Sequence, residues 1–138
     1  DQTENLSKSF AELESRAQWL RENLDSQDKE KNLHDQPPNI INGTMRDYQL
    51  RGLNWMIKND SHGFSAILGD EMGLGKTLQT ISFLGHLKSE DKLKGPCVVV
   101  APLSVLSSWM SEFDRWCPQL RTIRFHGPWV ERQRLARE

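Results

Sequence analysis

Between Phe64 and Lys88 the chain reads as an apolar run of strand length (Phe64 to Leu68), a glycine-bearing stretch (Gly69 to Thr77), and a segment with Leu78, Ile81, Leu84 and Leu87 at helical spacing. A strand that turns through glycines into a helix sets the helix's free first-turn amides beside those of the loop, and both favour an anion. Gly73 and Gly75 allow torsions and a close approach that a Cβ prevents. Lys76 is then placed to reach the outer phosphates of a nucleotide, and Thr77 to hold Mg2+ through its hydroxyl. The strict phosphate-loop pattern has glycine six residues before the lysine, where this chain has Asp70. The competing reading is a structural glycine turn with an exposed Lys-Thr pair.

The flanking segments continue the alternation. Cys97-Val98-Val99-Val100-Ala101 is apolar without a period of two, the mark of a strand covered on both faces. Pro102 ends it, and Ser104 can cap a helix carrying Leu106, Trp109, Met110, Phe113, Trp116 and Cys117 on a wide stripe. Trp109 and Trp116 read as core on that stripe. Thr122 to Phe125 offers a third strand and Val130 to Arg137 a last helix. Upstream, Thr44 can cap a helix running to about Lys58 with Leu50, Leu53 and Ile57 on one side. Alternating strands and helices predict an α/β fold with parallel strands. Three strands fall short of the roughly five or six usual in doubly wound sheets, which predicts an open edge and an uncovered apolar face.

Apolar residues are unevenly spread, with 9 in the first 39 positions and 41 in the remaining 99. Only the second part can bury a sizeable core, so the expected organisation is a lead-in over 1–39 and a body over 40–138. Ser9 followed by Glu12 is a capping-box start, and Phe10, Leu13, Ala17, Leu20 and Leu24 form one helical stripe. About two heptads are too few for a free-standing coiled coil, leaving two readings, a regulatory helix or a packing brace. The polar residues 25–39, ending in Pro37-Pro38, read as a linker. The net charge of -1 hides an acidic front, with 5 Lys/Arg against 9 Asp/Glu over residues 1–35. Its counterpart is an arginine-rich end, Arg115 to Arg137, expected to be a solvated face. Cys97 and Cys117 suit neither a zinc site nor a disulfide framework and are expected to pack as small hydrophobes in a reduced, intracellular protein. No apolar stretch reaches membrane length, and no basic run reads as a nuclear address.

Asp70-Glu71-Met72-Gly73-Leu74-Gly75-Lys76-Thr77 resembles motif I of the Swi/Snf-type ATP-dependent chromatin remodellers, superfamily-two helicase-like ATPases in which this octet replaces the strict pattern. Met45-Arg46-Asp47-Tyr48-Gln49 and Gly52-Leu53-Asn54-Trp55 resemble the upstream glutamine motif, and Ala101-Pro102-Leu103-Ser104-Val105-Leu106 is similar to motif Ia. The likeness spans about Ile40 to Gly127. It leans to the imitation-switch group through Arg46 to Trp55, Thr77 to Ser82 and Trp109 to Phe113, with the lymphoid-specific helicase group second through Phe125-His126-Gly127. His126-Gly127 reads equally as a turn after a strand.

The resemblance implies a partial RecA-like phosphate-loop lobe preceded by a helical segment, with ATP and Mg2+ as cofactors. Its nucleotide residues would be Gln49, reading the adenine edge, and Asp70, Glu71, Met72, Gly73, Leu74, Gly75, Lys76 and Thr77. Against this, Gln49 also reads as a polar residue on the outer side of its helix. Pro102, Leu103 and Ser104 would touch a DNA backbone phosphate, although Ser104 reads equally as a cap. Partners would be DNA, nucleosomes and remodelling-complex subunits, in the nucleus. Phosphoryl transfer also needs a second acid for magnesium and water, and arginines at the transition state. The family's Asp-Glu-Ala-His-like motif and second lobe are not in this sequence. The chain by itself is therefore expected to be catalytically incomplete, either the ATP-binding portion of a DNA translocase or a non-catalytic nucleotide- or partner-binding module.

Overall fold

In a computed structural model the described residues are 10–11, 13–15, 17–18 and 32–137. The chain divides into two compact units, Asp1–Asn32 and Leu33–Glu138. In the first unit residues 10–11, 13–15 and 17–18 are helical, within the predicted Ser9–Leu24 helix, whose Ser9 cap and residues 19–24 lie outside the described residues.

The second unit contains four helices among its described residues: α1 (Asp47–Ser61), α2 (Lys76–Ser89), α3 (Leu106–Trp116) and α4 (Trp129–Leu135). α2 packs on α1 and on α3. Their shared core is built on Leu53, Leu78, Ile81, Phe113 and Cys117, joined by Ile40 and Met45 from the preceding segment. Trp109 and Trp116 pack against it as expected.

The helix starts differ from expectation. Thr44 does not cap α1. The backbone stays extended to Arg46, and the Arg46 N–H is taken by the Gln49 side-chain oxygen at 2.9 Å. The start is thus fixed by the third-residue half of a capping box, where Glu or Gln serves this purpose. Ser104 does not cap α3 either: it lies inside a 3-10 turn, Leu103–Val105, that leads into the helix. Gly63, at φ +72, turns the chain away after α1.

Residues 33–39, expected to end a linker, belong to the body. Leu33 and Asn54 exchange two hydrogen bonds, 2.8 and 2.9 Å, and Gln36 accepts from the Met45 N–H at 2.7 Å. Buried Asn39 donates to the Gly85 carbonyl at 2.8 Å. Composition missed this because these contacts are made by amide side chains, which carry no hydrophobic signal. A Cβ at Gly85 would stand 3.2 Å from both Asn39 Nδ2 and Cys117 Sγ, so the two could stay only by giving way a few tenths of an ångström.

The three expected strands are not formed among the described residues. Residues 64–68, 97–101 and 122–125 run without helix or ladder, and no backbone hydrogen bond joins any two of them. Ile67 is 91%, Val98 83% and Val100 90% exposed. Their sequences ask for cover on both faces, but a strand exists only through the ladder its neighbours complete. Cys97, on one of these runs, is correspondingly exposed rather than packed, whereas Cys117 is buried. The arginines between 115 and 137 are exposed, as a solvated face requires. Arg134 and Glu131 pair across one turn of α4 at 2.8 Å, a surface contact of little energetic weight.

Candidate nucleotide-binding site

The loop between residue 69 and α2 takes its shape from two left-handed glycines, Gly73 at φ +83 and Gly75 at φ +82. Around Gly73 a Cβ would meet nothing, so its requirement is torsional; at Gly75 a Cβ would also collide with the Gln49 amide nitrogen. Gly75 is the N-cap of α2, and no side chain caps that helix. The first-turn N–H groups of Lys76, Thr77 and Leu78 consequently remain available, at the positive end of the helix dipole.

Lys76 folds back over the loop. Its Nζ donates to the Asp70 carbonyl at 2.6 Å and to the Glu71 carbonyl at 2.8 Å. Its charge is therefore held against the loop by neutral carbonyls, which an anion outcompetes as a partner for an ammonium group.

Gln49 is 7% exposed, which removes the reading of a polar residue on an outer helix face. Its oxygen accepts from Arg46, as above, and its Nε2 donates to the Leu74 carbonyl at 3.1 Å. Asp70 is tied on the other side, its carboxylate accepting from Gln79 Nε2 at 3.2 Å. Gln49, Asp70, Glu71, Leu74, Gly75 and Lys76 thus form one connected site, with Thr77 directly following. Met72 is 96% exposed at the loop tip. Beside the loop an open groove of about 530 Å³ is lined by Tyr48, Arg51 and Trp55 of α1 and by Leu68, Asp70 and Leu74.

Sequence reasoning missed Gln79 and Gly52. Gln79 is fully buried, and its side-chain oxygen lies where a Cβ on Gly52 would be. The available signal was a glutamine three residues past Lys76, facing inward beside the apolar stripe of α2. Pro102, Leu103 and Ser104 are exposed on the 3-10 turn, and no hydrogen bond connects them to the loop.

The loop fits a polyphosphate: two left-handed glycines, an uncapped helix start and one lysine converge, and a Cβ at Gly75 would spoil the arrangement. Among the described residues no three His, Cys, Asp or Glu side chains gather as a metal site. Thr77 is the hydroxyl that suits magnesium held mainly by phosphate oxygens.

Residues 48–137 match the SNF2-related domain. An ISWI chromatin-remodeling complex ATPase of Arabidopsis thaliana is 52% identical over 101 residues, which is 73% of this chain and 10% of that protein. The transcription regulatory protein SNF2 of Saccharomyces cerevisiae is 50% identical over 98 residues, 71% of this chain and 6% of that protein. The solved SWI2/SNF2 ATPase core of Sulfolobus solfataricus in complex with dsDNA superposes with a TM-score of 0.67 at 40% identity, covering 75% of this chain and 21% of that one. This chain therefore spans a tenth or less of the length of these curated relatives and shares the fold of part of an ATPase core. With a domain match that runs from the first turn of α1 to the end of α4, the chain belongs to the SNF2-related domain family.

Proposed function

We propose that the chain supplies the ATP-gripping part of the first lobe of a DNA-dependent ATPase that remodels chromatin. The observation that carries this is Lys76, poised over a loop whose glycines and uncapped helix open one anion-accepting surface. Loop amides and the first amides of α2 would receive the phosphates, Lys76 would exchange its two carbonyl partners for phosphate oxygens, and Thr77 would hold Mg2+. Gln49 has spent one lone pair and one N–H on the protein, and an amide offers two of each. The remaining pair would meet the adenine edge, with the groove beside Tyr48 and Arg51 receiving the base. Mg·ATP, when bound, would supply the phosphoryl group and the positive charge that offsets its phosphates.

In this reading the uncovered runs 64–68, 97–101 and 122–125 are parallel strands of a RecA-like sheet, laddered with further strands of the complete lobe. Pro102, Leu103 and Ser104, exposed at a helix start, would contact a DNA phosphate. Hydrolysis, DNA translocation, nucleosome engagement, assembly with complex subunits and residence in the nucleus belong to the complete motor. No described helix is long and apolar enough to cross a membrane.

The test is calorimetric titration of the chain and of Lys76→Ala with Mg·ATP. The reading predicts saturable binding that Lys76→Ala weakens about tenfold or more, the worth of a charged hydrogen-bonding group. Equal affinity in the two would refute it.

A further inference from the structure

Asp70 occupies the position that the strict phosphate loop gives to glycine, and the structure shows what its side chain does there. The carboxylate is held by Gln79 Nε2 at 3.2 Å, and the Asp70 carbonyl is held by Lys76 Nζ at 2.6 Å. Both donors sit within the first four residues of α2. Gln49, from α1, holds Leu74 at the other end of the loop at 3.1 Å. The residues between these anchors, Glu71, Met72 and Gly73, are exposed.

Gln79 is fully buried, and its Oε1 has no hydrogen-bond partner. That oxygen rests on α1 where Gly52 lacks a Cβ. A buried acceptor left unpaired costs stability, and an apolar residue of similar shape would remove that cost. It would sacrifice only the bond to Asp70. Packing alone therefore gives no reason for an amide at position 79.

We propose that Gln79 is a positioning residue of the phosphate loop, anchoring Asp70 through a side-chain bond that a glycine at that position cannot make. This rests on the ATP reading above and deepens it. When a triphosphate takes Lys76 away from the Asp70 and Glu71 carbonyls, the Gln79 bond is the tether that stays on Asp70. The loop then keeps its shape while its lysine changes partners. Gly52 provides the room on α1 that lets the Gln79 amide reach this position.

The test uses Gln79→Glu and the double variant Asp70→Asn/Gln79→Glu, with displacement of a fluorescent ATP analogue by ATP and by adenosine. Gln79→Glu sets two carboxylates against each other. The double variant rebuilds the bond with donor and acceptor exchanged. The expected result is that Gln79→Glu weakens ATP by about tenfold or more and leaves adenosine, which lacks phosphates, unchanged. The double variant should recover ATP binding to within about threefold of the unsubstituted chain. Equal loss of ATP and adenosine would mark a merely structural role. Recovery in the double variant decides the matter even where Gln79→Glu alone does not fold, and a double variant still tenfold weak overturns the tether. If the unsubstituted chain itself does not bind ATP, the ATP reading falls first and the tether with it; if it binds and the variants match it, the tether alone falls.

Discussion

Replacing Gly75 by alanine perturbs the site in two separable ways, and Gly73 provides the control. Both glycines hold nearly the same left-handed torsion, φ +82 and φ +83. A Cβ in that region costs about 1–2 kcal/mol, and Gly73→Ala carries this cost alone because nothing surrounds its missing Cβ. At Gly75 the new methyl also drives the Gln49 amide off. That movement removes the Gln49–Leu74 bond and disturbs the Gln49–Arg46 bond that starts α1. Each such bond is worth about 0.5–1.5 kcal/mol net. The expectation is therefore a loss of about 1–2 kcal/mol for Gly73→Ala and about 2–4 kcal/mol for Gly75→Ala. Urea unfolding followed by helix signal, extrapolated linearly to water for both variants, measures the difference. Equal losses of stability in the two variants would mean that the Gln49 contact contributes nothing.

Other expectations follow from burial. Ile81→Ala, at the fully buried centre of α2, should cost about 2–5 kcal/mol in the same unfolding assay. His86 has its pKa lowered, first by burial and further by Lys92, against opposing pulls from Glu90 and Asp60. A lowered histidine pKa means that the unfolded chain binds the proton more readily. Its contribution is thus fully present above the ordinary value of about 6.5 and is lost as pH falls through the folded value. The urea midpoint should drop from pH 7.5 to pH 5 more steeply in the unsubstituted chain than in His86→Gln. Cys97 is exposed and Cys117 buried, with burial also raising the Cys117 pKa. A thiol reagent should titrate one fast thiol in the native chain and two in urea, with Cys97→Ser removing the fast one.

What could be read from the sequence divides along physical lines. The bodies of α1, α2 and α3 were legible because each places leucine, isoleucine or aromatic residues at helical spacing, and Leu53, Ile81 and Phe113 are the buried centres of those stripes. Their starts were less so, since Thr44 and Ser104 carry cap-forming hydroxyls that the backbone does not use. The phosphate loop was legible because glycine, lysine and threonine act there through chemistry bound to position. The tether through Gln79 was not: a glutamine beside an apolar stripe gives no pattern, and its role depends on a carboxylate nine positions away and a glycine on another helix. The strands failed for a different reason. β-branched runs such as Val98 to Val100 announce a need for neighbours, but a ladder is a property of two segments and no single run can supply it.

In the proposed function the loop and the start of α2 grip phosphates through their backbone. Amide hydrogen exchange of the chain with and without Mg·ATP tests it most directly. The N–H groups of Gly73, Gly75, Lys76, Thr77 and Leu78 should slow on adding Mg·ATP while those of α4 do not change. Saturating Mg·ATP that leaves these five amides exchanging as before would contradict it.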